Sequence, residues 1–329
     1  MKRETELDLL RLTALLMVML LHVNSSVWAE ISLFTPQWAA ATALRQTWAV
    51  PVLVMITGRL LLDPDREPKL KKRLARLVSA FGCWSLVYQL YYLAADPSLD
   101  WKGVLAGLVT GAYHMWYLWM LLGLYAITPL LRSIARDRGL CRLFLGLHLL
   151  AGIMTYLVPE LPMVGNTLGK VAEMVLPGFL LGYPGLYLLG WYLHKWPPRK
   201  GTAYGAGLGC AVISLLGNLL IAHETGINSE FFTNYLSPTM LPIAGAVFLL
   251  FTSQRPFGKP EFWRRVSRLS LHAYLSHALV NEGVVRLFGK GRLMANPLWM
   301  LPATALVAAG SFGIAYLIER GRKLWTSTL

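Results

Sequence analysis

The sequence predicts an all-α polytopic membrane protein, a single bundle of about ten transmembrane helices over residues 1–329 with both termini cytoplasmic. Three observations point there. Hydrophobic residues make up 55% of the chain and charged residues only 15%, whereas soluble proteins carry about 25% charged. Too few charges remain to coat a water-facing surface, and disorder needs the opposite balance. The apolar residues gather into runs close to the ~20 that a helix needs to cross the hydrocarbon. Finally, Lys and Arg cluster in alternate connections, the signature of cytoplasmic loops.

The spans follow in order. The first, 9–28, resembles a signal peptide superficially, but it is long, holds Arg11 and His22, and lacks a small-residue cleavage site. It is expected to be retained. The second, 38–62, contains AVPVLVMITGRLLL and two internal arginines, Arg45 and Arg59. The third, 74–94, follows a basic run from Lys69 to Arg76, and the fourth, 104–131, contains HMWYLWMLLGLYAITPLL. The fifth, 143–158, is the shortest; 174–194, 203–222 and 236–252 are plain apolar runs. The ninth, 269–288, carries Tyr274, His277, Asn281, Glu282 and Arg286, and 297–318 completes the set. No repeat of fixed period is visible. The polar connections near 159–173, 223–235 and 253–268 are too short to fold alone, which predicts one domain.

With this numbering, one set of connections and termini holds 23 Lys and Arg and the alternate set holds 5. That asymmetry supports ten spans with cytoplasmic ends. The formal net charge of +14 would suit nucleic acid, but its distribution reads as membrane topology instead. Cys83, Cys141 and Cys210 show no CxxC or other metal-type spacing, and imply no disulfide framework.

An ionisable group inside a span is a functional hypothesis by default, because charge there costs at least a few kcal/mol. Arg59 and Arg76 lie near span ends, where snorkelling to the interface explains them. Glu282 and Arg286, spaced i,i+4, read as a structural ion pair. Arg11 and His22 are more informative. Eleven residues make about 1100°, three turns plus roughly 20°, so both project from one face with an axial rise of about 16 Å. Each alone has an ordinary reading, an interfacial anchor and a packed histidine; together they suggest a working pair. His114 belongs to the same half of the membrane as His22, and Tyr274, His277 and Asn281 share one helix face. Three histidines from three spans are thereby expected to meet at one polar cavity. Trp116, Trp119 and Tyr117 fit an interfacial aromatic belt, while Trp116 and Tyr117 also suit stacking on a sugar. No carboxylate or cysteine accompanies the histidines at ligand spacing, so no metal site is assigned.

Taken together, these residues resemble the acyltransferase family 3 integral-membrane proteins, in particular the branch that includes the O-acetyltransferase of enterobacterial common antigen. ELDLLRLTALLMVMLLH is similar to the family's first span, with an Arg and a His separated by ten residues. AVPVLVMITGRLLL is similar to its second, followed by the basic run KLKKRLARLVSAFGCWSLVY. HMWYLWMLLGLYAITPLL is the most specific block, and GYPGLYLLGWYL and SLHAYLSHAL resemble later ones. The resemblance covers nearly the whole length. The chain departs from the family pattern at four places. Thr47-Trp48 precedes the AVP block, with an Arg only at Arg45; Thr57 stands where Ser is common; Arg59 replaces an aromatic; and His272 replaces a glycine.

The resemblance implies acyl transfer from cytoplasmic acyl-CoA, with acetyl-CoA favoured, to a hydroxyl of an extracytoplasmic saccharide or lipid-linked glycan. The setting it implies is the bacterial inner membrane, with no permanently bound cofactor. His22 and Arg11 become the catalytic pair. An imidazole with its ordinary pKa of about 6.5 suits removal of a hydroxyl proton, and also suits transient carriage of the acyl group. Arg11, too distant to touch the same carbonyl, suits the phosphates of CoA, with Lys72 and Arg73 as further candidates for the nucleotide end. Arg45, His114, Trp116, Tyr117, Tyr274 and His277 are the candidates for substrate contact. A transporter or flippase for a small solute or lipid-linked sugar is the main alternative, because buried Arg and His also suit ion-coupled transport. No paired Gly/Pro-interrupted spans mark inverted repeats. A ligand-binding membrane module without turnover is the third reading.

Overall fold

The structure, a computed structural model, describes residues 5–45, 47–156, 182–254 and 258–327. Every regular element among them is helical. Helix α1 spans Thr5–Ser25, α2 Pro36–Ala43, α3 Ala49–Leu61, α4 Leu70–Ala95, α5 Trp101–Thr110, α6 Trp116–Ile134 and α7 Arg138–Tyr156. After the undescribed segment come α8 Pro184–Lys195, α9 Lys200–Thr225, α10 Met240–Thr252, α11 Pro260–Phe288, α12 Lys290–Ala295 and α13 Met300–Ser327. Six helical stretches are long and apolar enough to cross a membrane: Thr5–Glu30, Leu70–Ala95, Trp101–Ile134, Arg138–Tyr156, Lys200–Thr225 and Pro297–Arg322.

Six of the ten expected spans coincide with these stretches. The others are shaped differently. Residues 38–62 split into α2 and α3, separated by a short irregular connection containing Arg45. Residues 236–252 form the 13-residue α10. The ninth span is part of α11, a 29-residue helix with a charged first half. Of 174–194 only α8 is described, and the connection at 159–173 lies outside the described residues.

Helix α1 is the hub, packing against α3, α10, α11 and α13. It is apolar nearly all round, so burial on several sides is what its sequence requires; Leu10, Ala14, Met19 and Val23 have no exposed surface. A second contact joins α3 to α8 through glycine. A Cβ on Gly58 would lie 1.7 Å from the Tyr187 carbonyl oxygen, and one on Gly190 would lie 2.0 Å from that of Met55. Close backbone approach through small residues is how helices pack where apolar burial gives no net drive.

The fourth span is broken. Helix α5 ends at Gly111, whose φ of +74° is open to glycine at little steric cost. A single 3-10 turn, Tyr113–Met115, then leads into α6. Apolar periodicity cannot distinguish this from one continuous helix, yet the break aims His114 into the bundle. Arg59 also departs from expectation. Rather than snorkelling, it is 8% exposed and pairs with Glu6 at 3.7 Å, because α3 packs against α1 and the pair crosses that seam.

Candidate active site

Helices α1 and α11 run in the same direction, and their contacts set out the site. At one end Arg11 donates to the Ser267 hydroxyl oxygen at 3.1 Å. At the other, the His22 and His277 rings lie 4.9 Å apart between centroids. The two residues of α1 therefore share one face, and that face meets α11.

The His22 end is a cluster of rings. His114, carried by the turn after Gly111, sits 4.9 Å from His277 and 5.6 Å from Tyr274. Three histidines from three parts of the chain thus meet, as their positions in the spans suggested. His277 has no exposed surface and His114 is 1% exposed, while His22 is half-buried. The Nδ1–H of His277 donates to the Tyr274 carbonyl one turn back. That assigns its proton to Nδ1 and leaves the lone pair on Nε2, which has no hydrogen-bond partner among the described residues. A buried acceptor left unpaired costs about 1–3 kcal/mol, so its retention in a chemical pocket calls for a function. The Tyr274 hydroxyl donates to the His114 carbonyl at 2.6 Å, tying α11 to the broken span. Tyr113, mostly exposed, brings its hydroxyl within 3.4 Å of His22 Nδ1.

The Arg11 end opens into a cleft of about 550 Å³. Arg11, Arg73, Arg76 and Arg268 line it together with Ser267 and Tyr125, and among the described residues Asp8 is the one carboxylate in its walls. Asp8 is buried and pairs with Arg11 at 3.6 Å. Four guanidinium groups facing one carboxylate make a cationic basin suited to phosphate. A narrower chamber of about 180 Å³ continues from the cleft, sharing Arg11, Arg73, Leu121 and Tyr125 with it. Leucines line this chamber, which ends on Tyr117 and Tyr274. None of the three histidines lines either space. The two tyrosines, 9% and 8% exposed, are 5.5 Å apart between ring centroids, and Tyr274 in turn lies 5.3 Å from His277 and 5.6 Å from His114.

The remaining candidates separate. Lys72 is exposed and lines neither space, whereas its neighbour Arg73 lines both. Tyr117 is buried in the chamber wall rather than in an interfacial belt, and Trp116 is 37% exposed and stacks on Tyr235. Arg45 pairs with Glu230, lies 4.3 Å over the Trp28 ring, and donates to the side chains of Asn24 and Ser25. It ties the connection before α3 to the end of α1 and to the connection before α10. His272 accepts from the Trp84 indole at 3.3 Å and so joins α11 to α4. The Glu282–Arg286 pair forms as expected. Among the described residues no group of three or more His, Cys, Asp and Glu is arranged to hold a metal ion.

Asp8, Tyr113, Tyr125 and Arg268 are further site residues that the sequence reading does not pick out. Asp8 had a signal, its i,i+3 spacing to Arg11. Arg268 had none, since its place depends on how α11 packs.

A family model described as an acyltransferase domain matches residues 4–320. No curated protein and no solved structure matches the chain.

Proposed function

The chain belongs to the acyltransferase family 3, and from that premise we propose that it moves an acetyl group from cytoplasmic acetyl-CoA to a hydroxyl of an extracytoplasmic saccharide or lipid-linked glycan. The setting is the bacterial inner membrane, with both termini cytoplasmic, in the manner of the enterobacterial common antigen branch. The observation that supports this reading is the arrangement along α1 and α11: a four-arginine basin at one end, an imidazole cluster at the other, and a narrower chamber of mixed leucine and polar lining between them.

The donor enters the basin, where Arg11, Arg73, Arg76 and Arg268 hold its phosphates. The thin pantetheine arm rises through the leucine-lined chamber and carries the thioester toward His22. The acceptor arrives from the opposite side, past the exposed Tyr113 and Trp116. His22 removes the hydroxyl proton as the oxygen attacks the thioester carbonyl. A C–O bond forms, the C–S bond breaks, and the proton held on the imidazole passes to the departing thiolate, giving CoA and the acyl ester. His277, its Nδ1 fixed by the Tyr274 carbonyl, offers Nε2 to orient the neighbouring imidazole. Arg45, saturated by Glu230 and the end of α1, braces the acceptor side. A donor site and an acceptor site at opposite ends of one helix would let a cytosolic thioester serve an external hydroxyl without export of CoA. The arrangement does not favour a transporter, for which the matched family supplies no support.

The test is acetyl transfer in membrane vesicles from cells making the chain or its His22→Ala variant. The variant, at equal protein level, is expected to lose at least about 10²-fold in rate. Retained turnover would remove His22 from the mechanism, and labelled solute accumulating without release of CoA would favour transport.

A further inference from the structure

Tyr113 and His114 are neighbours in the single turn that follows Gly111, yet their surroundings are opposite. The His114 carbonyl accepts from Tyr274 at 2.6 Å and the residue is 1% exposed, whereas Tyr113 is 61% exposed. The backbone is held while the phenol can swing on its own side-chain bonds, a motion of picoseconds to nanoseconds at an exposed residue. That phenol packs edge-on against His22, 5.3 Å between ring centroids, and its hydroxyl reaches His22 Nδ1 at 3.4 Å.

The neighbouring ring decides which of these two atoms donates. His277 carries its proton on Nδ1 and a lone pair on Nε2, which has no hydrogen-bond partner among the described residues. His22 lies 4.9 Å from that ring between centroids, so a proton on His22 Nε2 suits the lone pair, whereas one on Nδ1 would set two lone pairs side by side. With Nε2 protonated, the basic lone pair of His22 is on Nδ1, and the Tyr113 hydroxyl donates to it. On the reading that His22 is the base, we infer that Tyr113 caps it against water and so makes the reaction select an acceptor hydroxyl. An acceptor held by contacts elsewhere on its saccharide turns the phenol aside and sets its own hydroxyl on Nδ1. Water has no such contacts to draw on. With the cap removed, water bound at Nδ1 attacks the thioester carbonyl. A C–O bond forms, the C–S bond breaks, the proton passes through His22 to the thiolate, and acetate and CoA leave. The size of the protection is that of one neutral hydrogen bond, about two- to twelvefold.

The experiment measures release of CoA from acetyl-CoA by the chain in two settings. One is liposomes of phosphatidylethanolamine and phosphatidylglycerol, which hold no glycan; the other is membrane vesicles from the cells that make the chain. Tyr113→Phe keeps the ring and loses the hydroxyl. It is expected to raise release in liposomes about three- to tenfold, to leave the donor KM unchanged, and to keep most of the acetyl transfer to glycan in vesicles. Should that variant fail to accumulate, Tyr113→Ala is expected to raise liposome release at least as much. Liposome release unmoved in an accumulating variant overturns the cap and leaves the acyltransferase reading standing. Glycan transfer lost with no rise in release also overturns it, because Tyr113 would then orient the base rather than cover it. No release of CoA by the unsubstituted chain in vesicles overturns the acyltransferase reading itself.

Discussion

At the Arg11 end of α1 the site is wide and cationic, with a cleft of about 550 Å³ where the half-buried Arg11 meets the exposed Arg73, Arg76 and Arg268. At the His22 end it is tight, with imidazole and phenol rings packed at 4.9–5.6 Å and a buried acceptor nitrogen left without a hydrogen-bond partner among the described residues. The first end tolerates hydration and suits recognition by charge. The second buries His114 and His277, so hydrogen bonds and small displacements around them carry more energy. On the proposed reading binding and chemistry fall at different ends of one helix, and side chains at each end should affect different kinetic constants.

The largest expected effect lies in the ring cluster. His277→Ala should lower turnover by about 10²-fold and change the donor KM by less than about threefold, since nothing in the basin is altered. Rescue of part of the turnover by His277→Gln would support an orienting role, whereas a matching rise in donor KM would break the division between the two ends. Next in size is Arg11. Its removal alone would leave the buried Asp8 carboxylate short of its counter-charge, so the informative variant is Asp8→Asn with Arg11→Gln. The donor KM of that pair should rise by about tenfold, within the range for lost charged hydrogen bonds, and turnover at saturation should hold. An unchanged KM would remove the phosphate role. The smallest effect belongs to the arginine at the end of α1. Arg45 is already saturated, so Arg45→Ala should leave the donor KM unchanged. A double-mutant cycle with Glu230→Ala in thermal unfolding should give a coupling of about 0.2–1 kcal/mol.

The parts of this arrangement readable from the chain were those set by helical arithmetic. Arg11 and His22 share a face because eleven residues close three turns. His277 and Tyr274 share another because three residues make most of one. Apolar content was enough to place six membrane-length helices, but not the interruption after α5, because Gly111 sits within an unbroken apolar run. The ion pair of Arg59 with Glu6 escaped for a different reason. It joins residues 53 positions apart, and local pattern carries no information on which helix lies beside which. The same limit hid the place of Tyr117 in the chamber wall, which follows from its ring meeting Tyr274 of α11.

The glycine crossings of α3 and α8 bear on how the chamber can breathe. With backbone laid on backbone at Gly58 and Gly190, these helices form a rigid slab, and Leu53, Thr57 and Leu60 are the part of it that faces the substrate path. That flank cannot retreat. On the proposed reading, any dilation that lets a thioester through falls to the chamber's other walls, α1, α4, α6 and α11, rather than to this slab.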